Sequence, residues 1–324
     1  MILPPFELHQ PTTVDDAIEL ATQLRKDGVA FDWMAGGTDV LPNYKNRLNA
    51  RDHVIALGRV DELTSIGKNS IGALARIEDV ARNARVQSDW PTIAKAASLI
   101  SSPPLRNLGT VGGNLLLDTR CYYFNQSEFW RDSKGYCLKA DGDVCLVVPQ
   151  KETCYATYSG DLAPILLVLD VELEFRGPNG ARRVPLRSFF EYDGIKRFEK
   201  SPDELLVRVF VPSTDDALRT DYLKLRARDT IEYPVMGVAM GLRTKGGKVA
   251  DLRVAVTGSE AVPLYYGDLG LGGAAVDEAT ADAVQAALLD KITCYRNVPF
   301  PPGYRKAMGG EFGRKLFLDL SGKA

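Results

Sequence analysis

Four cysteines, Cys121, Cys137, Cys145 and Cys154, fall within one 34-residue stretch, spaced C-x15-C-x7-C-x8-C, while Cys294 lies far away. Thiolates are soft ligands, so such a cluster points to disulfides, a structural zinc or an iron–sulfur centre. A reducing compartment argues against two disulfides. Zinc sites usually contain a close C-x2–4-C pair, absent here, whereas four thiolates can hold a [4Fe–4S] cube. Tyr122, Tyr123, Phe124, Phe129, Trp130, Tyr136 and Tyr155 surround the cysteines and would wall a cluster from water. Spacing alone leaves zinc and iron–sulfur both open.

Two glycine loops form the second chemical signal. Ala35-Gly36-Gly37-Thr38-Asp39 follows the apolar run VAFDWMA, and Thr110-Val111-Gly112-Gly113-Asn114 follows Arg106-Asn107. Paired glycines let a backbone approach a ligand closely, and successive free N–H groups there make an anion-binding concavity. Neither loop is a Walker pattern or G-x-G-x-x-G, and a strand-end Gly-Gly also serves as a plain turn. Two matched loops would suit a long ligand carrying a pyrophosphate and a flat ring system.

Only two histidines are present, His9 and His53, far apart in sequence and in unrelated local contexts. That argues against a histidine-rich zinc or non-haem iron site, and against a Ser-His-Asp triad on other than these two.

The elements that must position these residues read as α+β. Thr13 with Asp16 predicts a helix start, Ala17, Leu20, Ala21 and Leu24 repeat at helical spacing, and Gly28 is the stop. Strands are expected at 29–35 and 53–58, a hairpin around Lys68-Asn69, and helices near 77–84 and 91–100. PILLVLDVELEF reads as a long β-rich run, Gly177-Pro178-Asn179-Gly180 as a hairpin turn, and 203–212 as a strand. The segment STDDALRT is the expected domain boundary. Beyond it, YLKLRAR, GVAMGLRT and KVADLRVAVTG predict an antiparallel set turning at Gly246-Gly247. Helices over 277–291, with Ala279, Ala283, Ala286 and Ala287 on one face, and 303–319 close the chain. The length of 324 residues favours two domains, divided at 1–214 and 215–324, the first splitting at about residue 58.

Forty basic against 42 acidic residues leave a formal net charge of −2, which excludes a general polyanion-binding surface, so no nucleic-acid partner is expected. No window of 18 uninterrupted apolar residues suggests a membrane span, and the first residues lack a basic n-region and an apolar h-region. A cytoplasmic location is the expectation.

In order, AGGTD at 35–39, RNLGTVGGN at 106–114, SGDLAPILLVLD at 159–170, DELLVRVFVP at 203–212 and YLKLRAR at 222–228 resemble the FAD-binding medium subunits of the xanthine oxidase (molybdenum hydroxylase) family. The resemblance covers nearly the whole chain. It implies a two-part FAD-binding domain to about residue 214, followed by a smaller α+β domain with an antiparallel sheet. It implies that the 33–40 loop (Trp33, Met34, Ala35, Gly36, Gly37, Thr38, Asp39, Val40) holds the pyrophosphate of a non-covalent FAD. Thr110, Val111, Gly112, Gly113 and Asn114 would line the second flavin loop, and Ile100 would touch FAD. Asp161 would contact the adenine–ribose end, with Leu206 and Lys224 beside the isoalloxazine.

Between Asn114 and Asp161 stand 46 residues, at about 115–160, containing all four clustered cysteines. In most family members that connection is only a few residues. The insertion resembles that of 4-hydroxybenzoyl-CoA reductase β subunits, implying that Cys121, Cys137, Cys145 and Cys154 bind one [4Fe–4S] cluster and that Cys294 is a structural thiol. The implied partners are a molybdenum-cofactor large subunit, a [2Fe–2S] small subunit and a ferredoxin-like electron donor. The implied activity is electron transfer through the [4Fe–4S] cluster and FAD for reductive dehydroxylation to benzoyl-CoA. Its counterpart is outward flow, as in aldehyde, purine or CO oxidation. Substrate chemistry would lie on a partner, so no substrate-catalytic residue is expected here.

Overall fold

The computed structural model describes residues 2–213 and 217–322. Its first elements are β1 (Glu7–His9), α1 (Val14–Lys26), β2 (Phe31–Met34), α2 (Val40–Lys45) and β3 (His53–Ala56). The strands form a three-stranded parallel sheet with β3 in the middle. Thr13 caps α1 by accepting from the Asp16 N–H, as its spacing with Asp16 predicts. Ala17, Ala21 and Leu24 bury the inner face, and Gly28, at φ +70°, ends the run.

The next region contains β4 (Ser70–Gly72), α3 (Ile77–Arg82), α4 (Ala84–Asp89), α5 (Pro91–Ser98), α6 (Pro103–Arg106), α7 (Val111–Leu115) and α8 (Glu128–Ser133). It continues through α9 (Leu162–Val168), β5 (Glu172–Gly177), β6 (Gly180–Pro185) and β7 (Leu205–Phe210). Its four strands form an antiparallel sheet in the order β4-β7-β5-β6, and Gly177 faces Gly180 across the expected turn. The run PILLVLDVELEF is not all strand: its first half is helix α9, and only its end forms β5. Every residue from Leu162 to Val168 is buried, so the helix shows no polar face and no helical period in sequence.

A second antiparallel sheet, ordered β11-β10-β9-β8, is made from β8 (Arg219–Leu225), β9 (Met236–Lys245), β10 (Lys248–Thr257) and β11 (Leu264–Gly267). Helices α10 (Glu278–Lys291) and α11 (Pro302–Ser321) cover it. The alanine stripe of α10 is not the buried face; Thr280, Ala281, Val284 and Leu288 are. Of the expected boundary segment, residues 214–216 lie outside the described residues. The architecture is mixed α+β, with one parallel and two antiparallel sheets among the described residues. Among the described residues no helix is long and apolar enough to cross a membrane.

Candidate functional site: two glycine loops and a thiol pocket

Strand β2 delivers the first glycine loop from its C-terminal end, and Gly37 takes the left-handed conformation (φ +70°) that glycine adopts without strain. The second loop starts where Thr110 caps α7, its Oγ1 accepting from the Gly113 N–H at 3.1 Å. The loops touch backbone to backbone. A Cβ on Gly36 would run into the carbonyl of Leu108, and one on Gly109 would lie 3.8 Å from Thr38 Oγ1. Gly112 similarly rests on Ala73, whose carbonyl oxygen would be 2.9 Å from an added Cβ. Gly113 differs: its added Cβ would meet only Thr110 Oγ1, at 3.1 Å, and otherwise faces open space. Gly36 and Gly112 therefore fix the loops to the fold, while Gly113 offers a cradle that only a small residue leaves free.

Several of the implied flavin residues are already committed elsewhere. The Trp33 indole N–H donates to the Pro202 carbonyl at 2.8 Å, and Asn114 Oδ1 accepts from the Leu162 N–H at 3.0 Å. Met34 and Ala35 carry the strand into the loop, Val40 opens α2, and Val111 is the buried first residue of α7. Ile100 is half-buried just beyond α5. Leu206 packs in the central core at 2% exposure, so it has no side-chain surface for a ring system.

Asp161 and Lys224 come together. Lys224 Nζ lies 3.0 Å from Asp161 Oδ1 and also donates to the carbonyls of Leu99 and Glu232, at 3.0 Å each. Tyr222 donates to the same carboxylate at 3.0 Å. Burial pushes the Asp161 carboxyl up, and Lys224 offsets part of that rise. The resemblance placed these two residues at opposite ends of FAD. The structure instead brings the two into one buried ion pair.

A strap from the C-terminal half reaches the first loop and the segment just after α5. Arg226 donates to Leu99 O, Thr230 to Ser101 O and Tyr233 to Asp39 Oδ1, the last at 3.2 Å. Asp39 is also ion-paired with Arg120, whose guanidinium stacks on Tyr233 with its carbon 4.6 Å from the ring centre. Arg120 Nε is buried with no hydrogen-bond partner among the described residues. An unspent guanidinium N–H beside the first glycine loop fits the demands of a pyrophosphate. Sequence reasoning passed over Arg120 and Tyr233, because neither belongs to a glycine motif.

Arg120 is also the neck of the cysteine insertion. It forms an isolated antiparallel bridge with Thr157, with N–H···O distances of 2.7 and 2.6 Å. Beyond that neck Cys121, Cys137, Cys145 and Cys154 are all buried and line one pocket with Phe124 and Lys139. Burial, reinforced by Cys137 and Cys154, pushes the Cys121 thiol up to about 12, and burial takes Cys154 up to about 11. A metal centre must therefore displace protons to bind here. Lys139 Nζ is tied to Asp118 at 2.6 Å and to Gly194 O at 2.9 Å, and lies 4.8 Å from the centre of the Phe124 ring. A Cβ on Gly194 would stand 2.7 Å from Cys154 Sγ. Lys139 and Gly194 thus shape the pocket without being cysteines, which is why spacing could not find them.

Glycine loops, cradle and strap are the parts of a flavin-binding subunit, and the comparisons say which kind. The family model for the FAD binding domain in molybdopterin dehydrogenase matches residues 4–214. This chain belongs to that family: it is an FAD-binding medium subunit of the xanthine oxidase and carbon monoxide dehydrogenase type. It is similar to the carbon monoxide dehydrogenase medium chain of Hydrogenophaga pseudoflava, at 29% identity over 79% of this chain and 76% of that one. The aldehyde oxidoreductase FAD-binding subunit PaoB of Escherichia coli K12 is 32% identical over 70% of this chain and 74% of its own. A solved carbon monoxide dehydrogenase structure from Hydrogenophaga pseudoflava superposes with a TM-score of 0.79 at 25% identity, covering all of both chains.

Proposed function

We propose that the chain is the electron-transfer subunit of a molybdenum-containing oxidoreductase, carrying FAD at the paired glycine loops and one [4Fe–4S] cluster in the thiol pocket. FAD supplies exchange between two-electron and one-electron chemistry. Residues 1–214 would form the FAD-binding part and 215–324 the C-terminal part, with a molybdenum-cofactor large subunit and a [2Fe–2S] small subunit as partners.

The observation that carries the cluster is the convergence of four buried cysteines on one pocket behind the Arg120–Thr157 neck. Asp39 and Arg120 connect this pocket to the first glycine loop, so the two cofactors would share one rigid wall.

On this reading a low-potential ferredoxin-like donor feeds the cluster and then FAD, in the manner of a 4-hydroxybenzoyl-CoA reductase. The insertion alone supports that finer assignment. The relatives are a carbon monoxide dehydrogenase and an aldehyde oxidoreductase, and they favour a second reading, a conventional molybdenum hydroxylase subunit with outward electron flow. Anaerobic purification with iron, zinc and flavin analysis decides the first point. Iron near four per chain, lost in Cys137→Ser or Cys145→Ser while FAD stays, supports the cluster. One zinc and no iron overturns it. Reduction of wild type, but not of Cys137→Ser, by a low-potential donor separates inward from outward flow.

A further inference from the structure

The two histidines that the sequence holds 44 positions apart meet edge to edge in the fold. The parallel register sets His53 opposite Glu7, and His9 stands two residues along on the same face of β1. The rings are 5.3 Å apart at 12°, with His9 Nε2 3.0 Å from His53 Nδ1. Glu7 reaches both of these nitrogens: its Oε1 is 3.6 Å from His9 Nε2 and its Oε2 is 3.8 Å from His53 Nδ1. Their unrelated local sequence contexts give no sign of this meeting.

We propose that Glu7, His9 and His53 form a binding site for one divalent transition-metal ion of the zinc class. The argument is lone-pair arithmetic. If His9 Nε2 donates its proton to His53 Nδ1, the Glu7 oxygen beside Nδ1 faces a nitrogen with no proton to give. A cation bound beside the pair would satisfy all three donors together once both rings turn towards it. The separations fit as well: ligands of a tetrahedral zinc, bound at about 2.0–2.2 Å, stand roughly 3.3–3.6 Å apart. Closing 3.0, 3.6 and 3.8 Å onto that geometry takes shifts of a few tenths of an ångström together with a turn of both rings, whose nitrogens point at each other in the metal-free pair. Two imidazoles and one carboxylate select zinc, cobalt, nickel, copper or iron over magnesium and calcium.

Exposure matches an open site completed by water. The side chains of His9 and His53 are 18% and 23% exposed and that of Glu7 is 65% exposed. His53 lies level with Phe31, the first residue of β2, whereas the glycine loop leaves the last. The site is thus at the other end of the parallel sheet from the flavin loop, and its effect is structural. It ties the three-residue edge strand β1 to β3.

The test uses the full flavin-loaded chain, dialysed against chelator, then titrated with Zn²⁺ or Co²⁺ and desalted. Wild type should retain one more metal per chain than His9→Gln/His53→Gln, and its melting temperature should rise with Zn²⁺ where the double variant's does not. Glu7→Gln should weaken retention by more than the ~10–100-fold typical of outer-sphere partners. The Co²⁺ adduct should lack thiolate charge-transfer absorption and persist in Cys137→Ser, which separates it from the thiol pocket. Equal metal content in wild type and the double variant, or no uptake at micromolar Zn²⁺, leaves only a hydrogen-bonded histidine pair and overturns the proposal.

Discussion

The carboxylate of Asp161 and the ammonium of Lys224, 63 positions apart, meet at 3.0 Å with their side chains 3% and 2% exposed. The pair joins the start of α9 to β8, so it ties the central core to the C-terminal sheet beside the flavin loops.

Removing one partner of this pair should be severe. Lys224→Met leaves a buried carboxylate without its counter-charge, and about 3–5 kcal/mol of stability should be lost. The double variant Asp161→Asn/Lys224→Met should recover much of that loss. Chemical unfolding of the three proteins checks the ordering, and flavin content measured alongside reports the site separately.

The glycines should divide into two groups. Gly36→Ala and Gly112→Ala drive a Cβ into backbone and should cost folding yield. Gly37→Ala should lose about 1–2 kcal/mol through its left-handed φ. Gly113→Val should be tolerated better, since its Cβ would meet only the Thr110 hydroxyl, yet lose flavin. Circular dichroism with flavin absorbance distinguishes these outcomes; a fully yellow Gly113→Val protein would remove Gly113 from the binding set.

FAD should leave without breaking a covalent bond. His9 and His53 are at the far end of the parallel sheet, and no cysteine lies in either glycine loop. Acid precipitation should put all the flavin in the supernatant, and colour in the pellet would refute this.

Glu260 gives a pH signature. Burial pushes its carboxyl up to about 7, opposed only by a hydrogen bond from the Thr293 backbone. The folded chain then binds more protons than the unfolded chain between the ordinary glutamate range and pH 7, so this group's contribution falls as pH rises through that window. Glu260→Gln should be more stable than wild type at pH 8, by on the order of 2 kcal/mol, and little different at pH 4. Melting curves at the two pH values measure it.

Local chemistry was legible in the sequence, while long-range placement was not. Thr13, Gly28 and the Gly177–Gly180 turn act through neighbours a few residues away, and all behave as their types dictate. Helix α9 was hidden because burial on every side erases the polar face that betrays a helix. The glycine loops were visible, but not that Gly36 seats on Leu108, nor that Arg120 and Tyr233 close over Asp39. Those contacts, like the meeting of His9 with His53, depend on strand register and chain crossing, which spacing does not encode.

The bridge between Arg120 and Thr157 also makes the cysteine segment a removable part. The two ends of the excursion are already paired, so a tight turn could replace residues 121–156 without moving either neck residue or the Asp39 contact. The same neck could receive this segment in a relative that lacks it. If the thiol pocket holds the proposed cluster, that centre would be gained or lost as a cassette, with the closure entropy confined to one loop.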